Sequence, residues 1–319
     1  MSARPGRSRS ERAPKAGSAT GTRRSSSPSW SAGHEDRHLL LHRDGQLPCR
    51  GKIAGTLGET ELVPIASLAN TPGTITPEAD RIGIVCPVYD CGVPVMVANF
   101  TERLDLSRAK YTFAVVTMGG IGVSALHQLN GIVRERRGRG LDAAFAVNMP
   151  GNFPPLMRSV PAGKCGEILE RADRRLDEIA EAIGSGRPVS PGFAPLSGLV
   201  NALSYGSLAK SARDAGELFS VSDACTGCGT CARVCPAGNL TLVDGRPMWG
   251  RRCELCCACL HFCPTEAIQL HVMFGTEGRG RYRHPDLTVA AMEAQRGQNV
   301  PAPDTPAVQG RLPGAPVLF

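Results

Sequence analysis

Aromatic residues are scarce in this chain: two Trp, four Tyr and nine Phe among 319 residues. So few aromatics do not make a surface for stacking nucleic-acid bases. The net charge of +7 does not restore that reading, because residues 1–50 hold ten Lys/Arg against four Asp/Glu, a balance of +6. The rest of the chain therefore carries only +1 (7 − 6), and no nucleic-acid partner is expected. No run of about 18 uncharged apolar residues occurs, so no membrane span is expected. The Arg- and Ser-rich N-terminal residues are followed by no apolar stretch of the kind a secretory leader needs, and a cytoplasmic location is expected. Residues 1–33 lack apolar periodicity, and from about Gln295 the chain is rich in Pro and Gly; both ends read as disordered.

Cysteine, by contrast, is abundant: thirteen residues, nine of them between Cys225 and Cys263. In a reducing compartment such clustering points to metal binding rather than disulfides. Two runs share one spacing. The first is Cys225-x2-Cys228-x2-Cys231-x3-Cys235-Pro236, the second Cys253-x2-Cys256-x2-Cys259-x3-Cys263-Pro264. This is the spacing of bacterial ferredoxins that hold two [4Fe–4S] clusters. Three thiolates on a tight loop reach three iron corners of one cube; the fourth, beyond the turn, faces the other cube. Cluster I is therefore expected on Cys225, Cys228, Cys231 and Cys263, and cluster II on Cys253, Cys256, Cys259 and Cys235. Gly227 and Gly229 let backbone N–H groups approach the sulfurs. Two structural zinc sites are the competing use of eight such cysteines, but the doubled run with both prolines favours clusters. Cys257 has no ligand slot and is expected to pack as a small apolar residue. Between the runs, Asn239 to Trp249 reads as a β-hairpin turning at Asp244-Gly245. Trp249 either shields a cluster from water or simply fills the core.

Upstream of the cysteines, apolar runs alternate with amphipathic stretches. Strands are expected at Glu61–Ile65, Arg81–Val85, Tyr111–Thr117 and Asp142–Val147. Lys52–Gly58 reads as the end of a helix closed by a glycine, and Ser124–Arg137 and Gly166–Ile183 read as further helices. Such alternation implies a parallel sheet in an α/β domain, with ligands bound at loops beyond the carboxyl ends of the strands. Two such loops look specialised, Cys86–Pro94 and Thr117–Gly122. Residues 186–220 read as a linker, and Gly278–Pro285 as a polar segment wrapping a surface.

From about Lys52 to about Met292 the chain resembles bacterial fusions of a flavodoxin-like domain to a C-terminal two-cluster ferredoxin. The resemblance is carried by Gly58–Ile65, Ala79–Val85, Leu104-Asp105-Leu106, both cysteine runs and Arg279–Pro285. It implies a flavodoxin-like parallel sheet, a small α+β ferredoxin domain and an FMN site. Tyr89 would stack on the flavin ring, and Gly92, Thr117, Gly119 and Gly120 would lie in the loops flanking it.

The chain departs from the family where the first strand and phosphate loop belong. Residues 34–51 resemble neither, and Asp44 would set a carboxylate beside the phosphate. Read one nucleotide later with permitted codons, His34–Pro48 can give M-[K/R]-T-V-I-Y-Y-F-T-G-T-G-N-S-L, a strand and a phosphate loop of the family type. Residues 1–51 are therefore expected to be a disordered, out-of-frame segment, the sheet to lack its first strand and phosphate loop, and FMN binding to be weak or absent.

The expected domains are then 52–185 (flavodoxin-like), a linker at 186–220, the ferredoxin domain at 221–275 and an extended tail at 276–319. The expected function is one-electron transfer between redox-protein donors and acceptors through the two clusters. The alternatives are a flavin-dependent reductase fed by the ferredoxin domain and a non-catalytic iron–sulfur sensor. His127 and His284 are weak acid candidates for the former, each more in keeping with a surface or structural role.

Overall fold

The computed structural model describes residues 38–42, 47–69, 72–120, 122–192, 212 and 214–296. Five strands form one parallel sheet: β1 (His38–His42), β2 (Thr60–Pro64), β3 (Arg81–Pro87), β4 (Tyr111–Met118) and β5 (Ala143–Asn148). Their order is β2-β1-β3-β4-β5, the doubly wound order of flavodoxin-like folds. Helices α1 (Leu47–Leu57), α2 (Ile65–Leu68), α3 (Val95–Thr101), α4 (Val123–Arg137) and α5 (Ala162–Gly184) connect or cover the strands.

The expectation of a sheet without its first strand is corrected here. β1 lies between β2 and β3 and pairs in parallel with both, Leu40 opposite Leu62 on one side and Gly83 on the other. It pairs along its whole length, His38 to His42, with both neighbours. Residues 47–51, also expected to be disordered, open α1. The rest of the expected out-of-frame segment, including the phosphate-loop position at 43–46, lies outside the described residues.

The sheet is covered on both sides. On one face Ile82, Ile84, Ala114 and Val116 pack against Val97, Phe100, Leu126 and Leu129 of α3 and α4. On the other, Val85, Phe113, Val115 and Phe145 pack against Ile53 of α1 and Leu176, Ile179 and Ile183 of α5. Alternate residues of one strand thus serve opposite layers, which is why these strands are apolar throughout. Buried Arg81 donates to the carbonyls of Ile183 (2.6 Å) and Gly184 (3.1 Å), placing a cation at the C-terminal end of α5.

The cysteine-rich part follows. β6 (Phe219–Val221) pairs antiparallel with β9 (Ile268–Leu270), and β7 (Leu240–Val243) with β8 (Arg246–Trp249). One-turn helices α6 (Thr230–Arg233) and α7 (Ala258–His261) hold Cys231 and Cys259 at corresponding places in the two runs. β6 begins at Phe219, two residues before the expected start of the ferredoxin domain. The tail expected to be extended carries helix α8 (Val289–Arg296); residues 297–319 lie outside the described set. Among the described residues no helix is long and apolar enough to cross a membrane.

Candidate functional site

The eight run cysteines surround two separate cavities. Cys225, Cys228, Cys231 and Cys263 line one, with about 320 Å³ of space including its mouth. Cys235, Cys253, Cys256 and Cys259 line the other, of the same size, together with Cys257 and Trp249. Local backbone explains the first loop. Gly227 (φ 68°) and Gly229 (φ 71°) take the left-handed conformation, and a Cβ on Gly227 would stand 3.0 Å from the Gly245 carbonyl. In the second loop Leu255 (φ 50°) and Cys257 (φ 58°) hold that conformation without glycine.

Among the described residues no three His, Cys, Asp or Glu side chains form a group that could hold a metal ion. Four thiols ringing a cavity match a cube bound at its corners. The thiols also sense each other: burial pushes Cys231 up to about 11, and Cys228, Cys263 and Cys225 add to the rise. Burial drives Cys259 upward too, with Cys253 and Cys235 contributing. Cys228 is exposed, and the Thr230 hydroxyl and backbone lower its pKa. Backbone N–H groups of Asn239 and Leu255 point at the sulfurs of Cys235 (3.2 Å) and Cys253 (3.4 Å). Cys257 is buried and donates to the Leu255 carbonyl at 3.7 Å.

A third and larger cleft, about 830 Å³ with its mouth, opens at the carboxyl ends of β3, β4 and β5. Tyr89, Thr117 and Gly119 line it, as do Met149 and Asn152 from the loop after β5. Gly119 needs to be glycine, since a Cβ there would come within 2.7 Å of the Gly151 Cα. Gly92 and Gly120 are not in its wall. Gly92 instead closes the Tyr89 turn through two backbone bonds, with Asp90 and Cys91 both left-handed between them.

The opposite wall comes from the cysteine-rich part. Cys256, Ala258, His261 and Phe262 line the cleft, and the segment after β9 adds Tyr282 and His284. His284 thus stands in the cleft, whereas His127 bonds the Gly192 carbonyl (3.0 Å) and does not. His261 ties the two walls together. Its Nε2 bonds the Asn152 carbonyl at 2.8 Å, and its Nδ1 accepts the Tyr282 N–H at 3.3 Å. A single neutral tautomer satisfies both bonds, and burial lowers its pKa to about 4. Further ties run from the Met96 N–H to Glu254 Oε2 (3.3 Å), from the Phe274 N–H to the Pro155 carbonyl (3.2 Å) and from Arg279 to the Pro154 carbonyl (3.1 Å).

Sequence reasoning named Cys256 and His284 singly and read Gly278–Pro285 as wrapping a surface, but did not see that they form this second wall. The histidine between Cys259 and Cys263 and the Tyr-Arg-His of the tail were visible, but only the closed fold shows what they face.

The family model for a 4Fe–4S binding domain matches residues 221–241, which contain the first run. Several solved structures are similar to part of the chain. An NADH:FMN oxidoreductase in its apo form shares 10% identity over 50% of this chain and 97% of its own, with a TM-score of 0.31. The Trp repressor binding protein from Bacillus subtilis shares 12% over 48% and 98%, with 0.29. The flavodiiron protein from Giardia intestinalis shares 14% over 48% and 37%, with 0.29. At these scores the fold assignment rests on the strand order itself. A search of curated proteins gives no match.

Proposed function

We propose that this protein is an electron carrier in which two [4Fe–4S] clusters serve a flavin bound in the cleft. Cluster I sits on Cys225, Cys228, Cys231 and Cys263, and cluster II on Cys253, Cys256, Cys259 and Cys235. One observation carries the reading: Cys256 lines both the second cysteine cavity and the cleft. A cluster ligand in the wall of a ligand site is the arrangement a short electron path requires. Cluster II is then the internal relay, and cluster I, beside exposed Cys228, faces outside donors or acceptors.

When bound, the flavin supplies a carrier of one or two electrons. The chain's own residues orient it and exclude water. Tyr89 and Phe262 offer aromatic surface from opposite walls, and Thr117 and Asn152 offer polar groups. The sequence at 43–46, Arg-Asp-Gly-Gln, is a poor phosphate cradle, so the ring contributes most of the affinity and FMN binds weakly.

Quantifying iron, sulfide, zinc and flavin in the anaerobically purified chain tests the proposal. The expected result is about eight irons and eight sulfides, with FMN taken up only at high concentration. Zinc without sulfide would overturn the cluster assignment, and no FMN uptake at any concentration would overturn the flavin assignment alone.

A further inference from the structure

Trp249 is 3% exposed and lines the second cysteine cavity. Its ring stacks on Phe219, with centroids 4.7 Å apart and planes 5° from parallel. Its backbone is packed so closely that a Cβ on Gly216 would approach the Trp249 Cβ to 2.9 Å. The indole is therefore held in one orientation. Yet Nε1–H is fully buried with no hydrogen-bond partner among the described residues, which buried donors rarely tolerate. Cys235, Cys253, Cys256 and Cys259 line the same cavity as the indole.

We infer that the Trp249 Nε1–H donates a hydrogen bond to a cysteine sulfur of cluster II and raises the reduction potential of that cluster alone. The inference rests on the two-cluster reading above. The added electron makes the cluster more negative, and a donor aimed at its sulfur stabilises that state. The first cavity is lined by no Trp; its sulfurs meet threonine hydroxyls instead, Cys228 at Thr230 (3.5 Å) and Cys263 at Thr265 (3.7 Å). The indole is thus a tuning residue that distinguishes two cysteine runs of identical spacing.

The full chain, reconstituted anaerobically with iron and sulfide, is titrated potentiometrically with EPR detection. Cluster identity is assigned by the signal lost in Cys259→Ala or in Cys231→Ala. In Trp249→Phe the cluster II potential is expected to fall and that of cluster I to stay. Protein containing 5-fluorotryptophan, a stronger N–H donor of nearly the same shape, is expected to show the opposite shift. The Fe–S(Cys) stretch in resonance Raman spectra should move in D2O for the wild type and not for Trp249→Phe. Unchanged potentials, or a shift confined to cluster I, would overturn the inference. If Trp249→Phe fails to hold cluster II, the fluorotryptophan protein decides, and an unmoved potential there is equally fatal. Failure of the wild type to take up iron and sulfide would instead defeat the two-cluster reading itself.

Discussion

The two cysteine cavities have the same spacing, size and one-turn helix, yet their surroundings are unlike. The first lies beside exposed Cys228 and Leu242 and is lined by threonine hydroxyls. The second is bounded by Trp249, Asn239 and Cys257, all nearly fully buried, and shares Cys256 with the cleft. Ligand spacing fixes what is bound. The neighbours decide potential, water access and which partner is within reach. A repeated motif therefore does not imply a repeated role.

The comparison can be tested by removing one side at a time. Cys231→Ala and Cys259→Ala should each lower iron from about eight to about four per chain. Only Cys259→Ala should abolish reduction of bound FMN by the remaining cluster, as followed by flavin absorbance. Equal loss in both variants would erase the distinction between relay and port.

His261 comes next, because it stands on the side of the second cavity that meets the cleft. Its pKa is lowered to about 4 from an ordinary 6.5. The unfolded chain therefore binds the extra proton over that interval, and stability falls as pH drops from about 6.5 to 4. The drop amounts to about 3 kcal/mol. In His261→Gln this part of the slope should vanish in urea melts across that range. The variant should also loosen the cleft, while the cluster I EPR signal stays unchanged.

A smaller and opposite effect is expected at the first cavity. Gly227→Ala places a side chain at φ 68°, 3.0 Å from the Gly245 carbonyl. The left-handed conformation costs about 1–2 kcal/mol. Thermal stability should drop by that amount, with cluster I alone bleached faster by oxygen. The smallest expected effect concerns the flavin phosphate. With Asp44 in the 43–46 segment, FMN and riboflavin should bind within about tenfold of each other, or ~1.4 kcal/mol. Fluorescence titration measures both, and a much tighter FMN complex would show that a phosphate site exists after all.

Much of this architecture is legible in the sequence because its signals are local. The apolar runs at Arg81 and Tyr111 are long enough to announce buried strands, and both cysteine runs announce their own chemistry. β1 escaped because three leucines between histidines follow a stretch with no periodicity, and its identity as a strand depends on neighbours far along the chain. Gly278–Pro285 was read as wrapping a surface, but which surface Tyr282 and His284 face escaped for the same reason. Nothing in R-Y-R-H indicates that it closes over Asn152 and His261. Tyr89, Thr117 and Gly119 were found because loops after parallel strands are where ligands sit. Gly92 and Gly120 were included on loop membership, which does not distinguish a lining residue from a turn-former.

Helix α7 has a consequence for the order in which the molecule matures. It is one turn long, carries Cys259, precedes Cys263 and presents His261 to the loop after β5. Such a short helix has little stability of its own, and in the proposed two-cluster carrier the ligands on either side of it would hold it in place. Iron and sulfide would then be installed before the organic cofactor lodges, an assembly clock with His261 as its last tick.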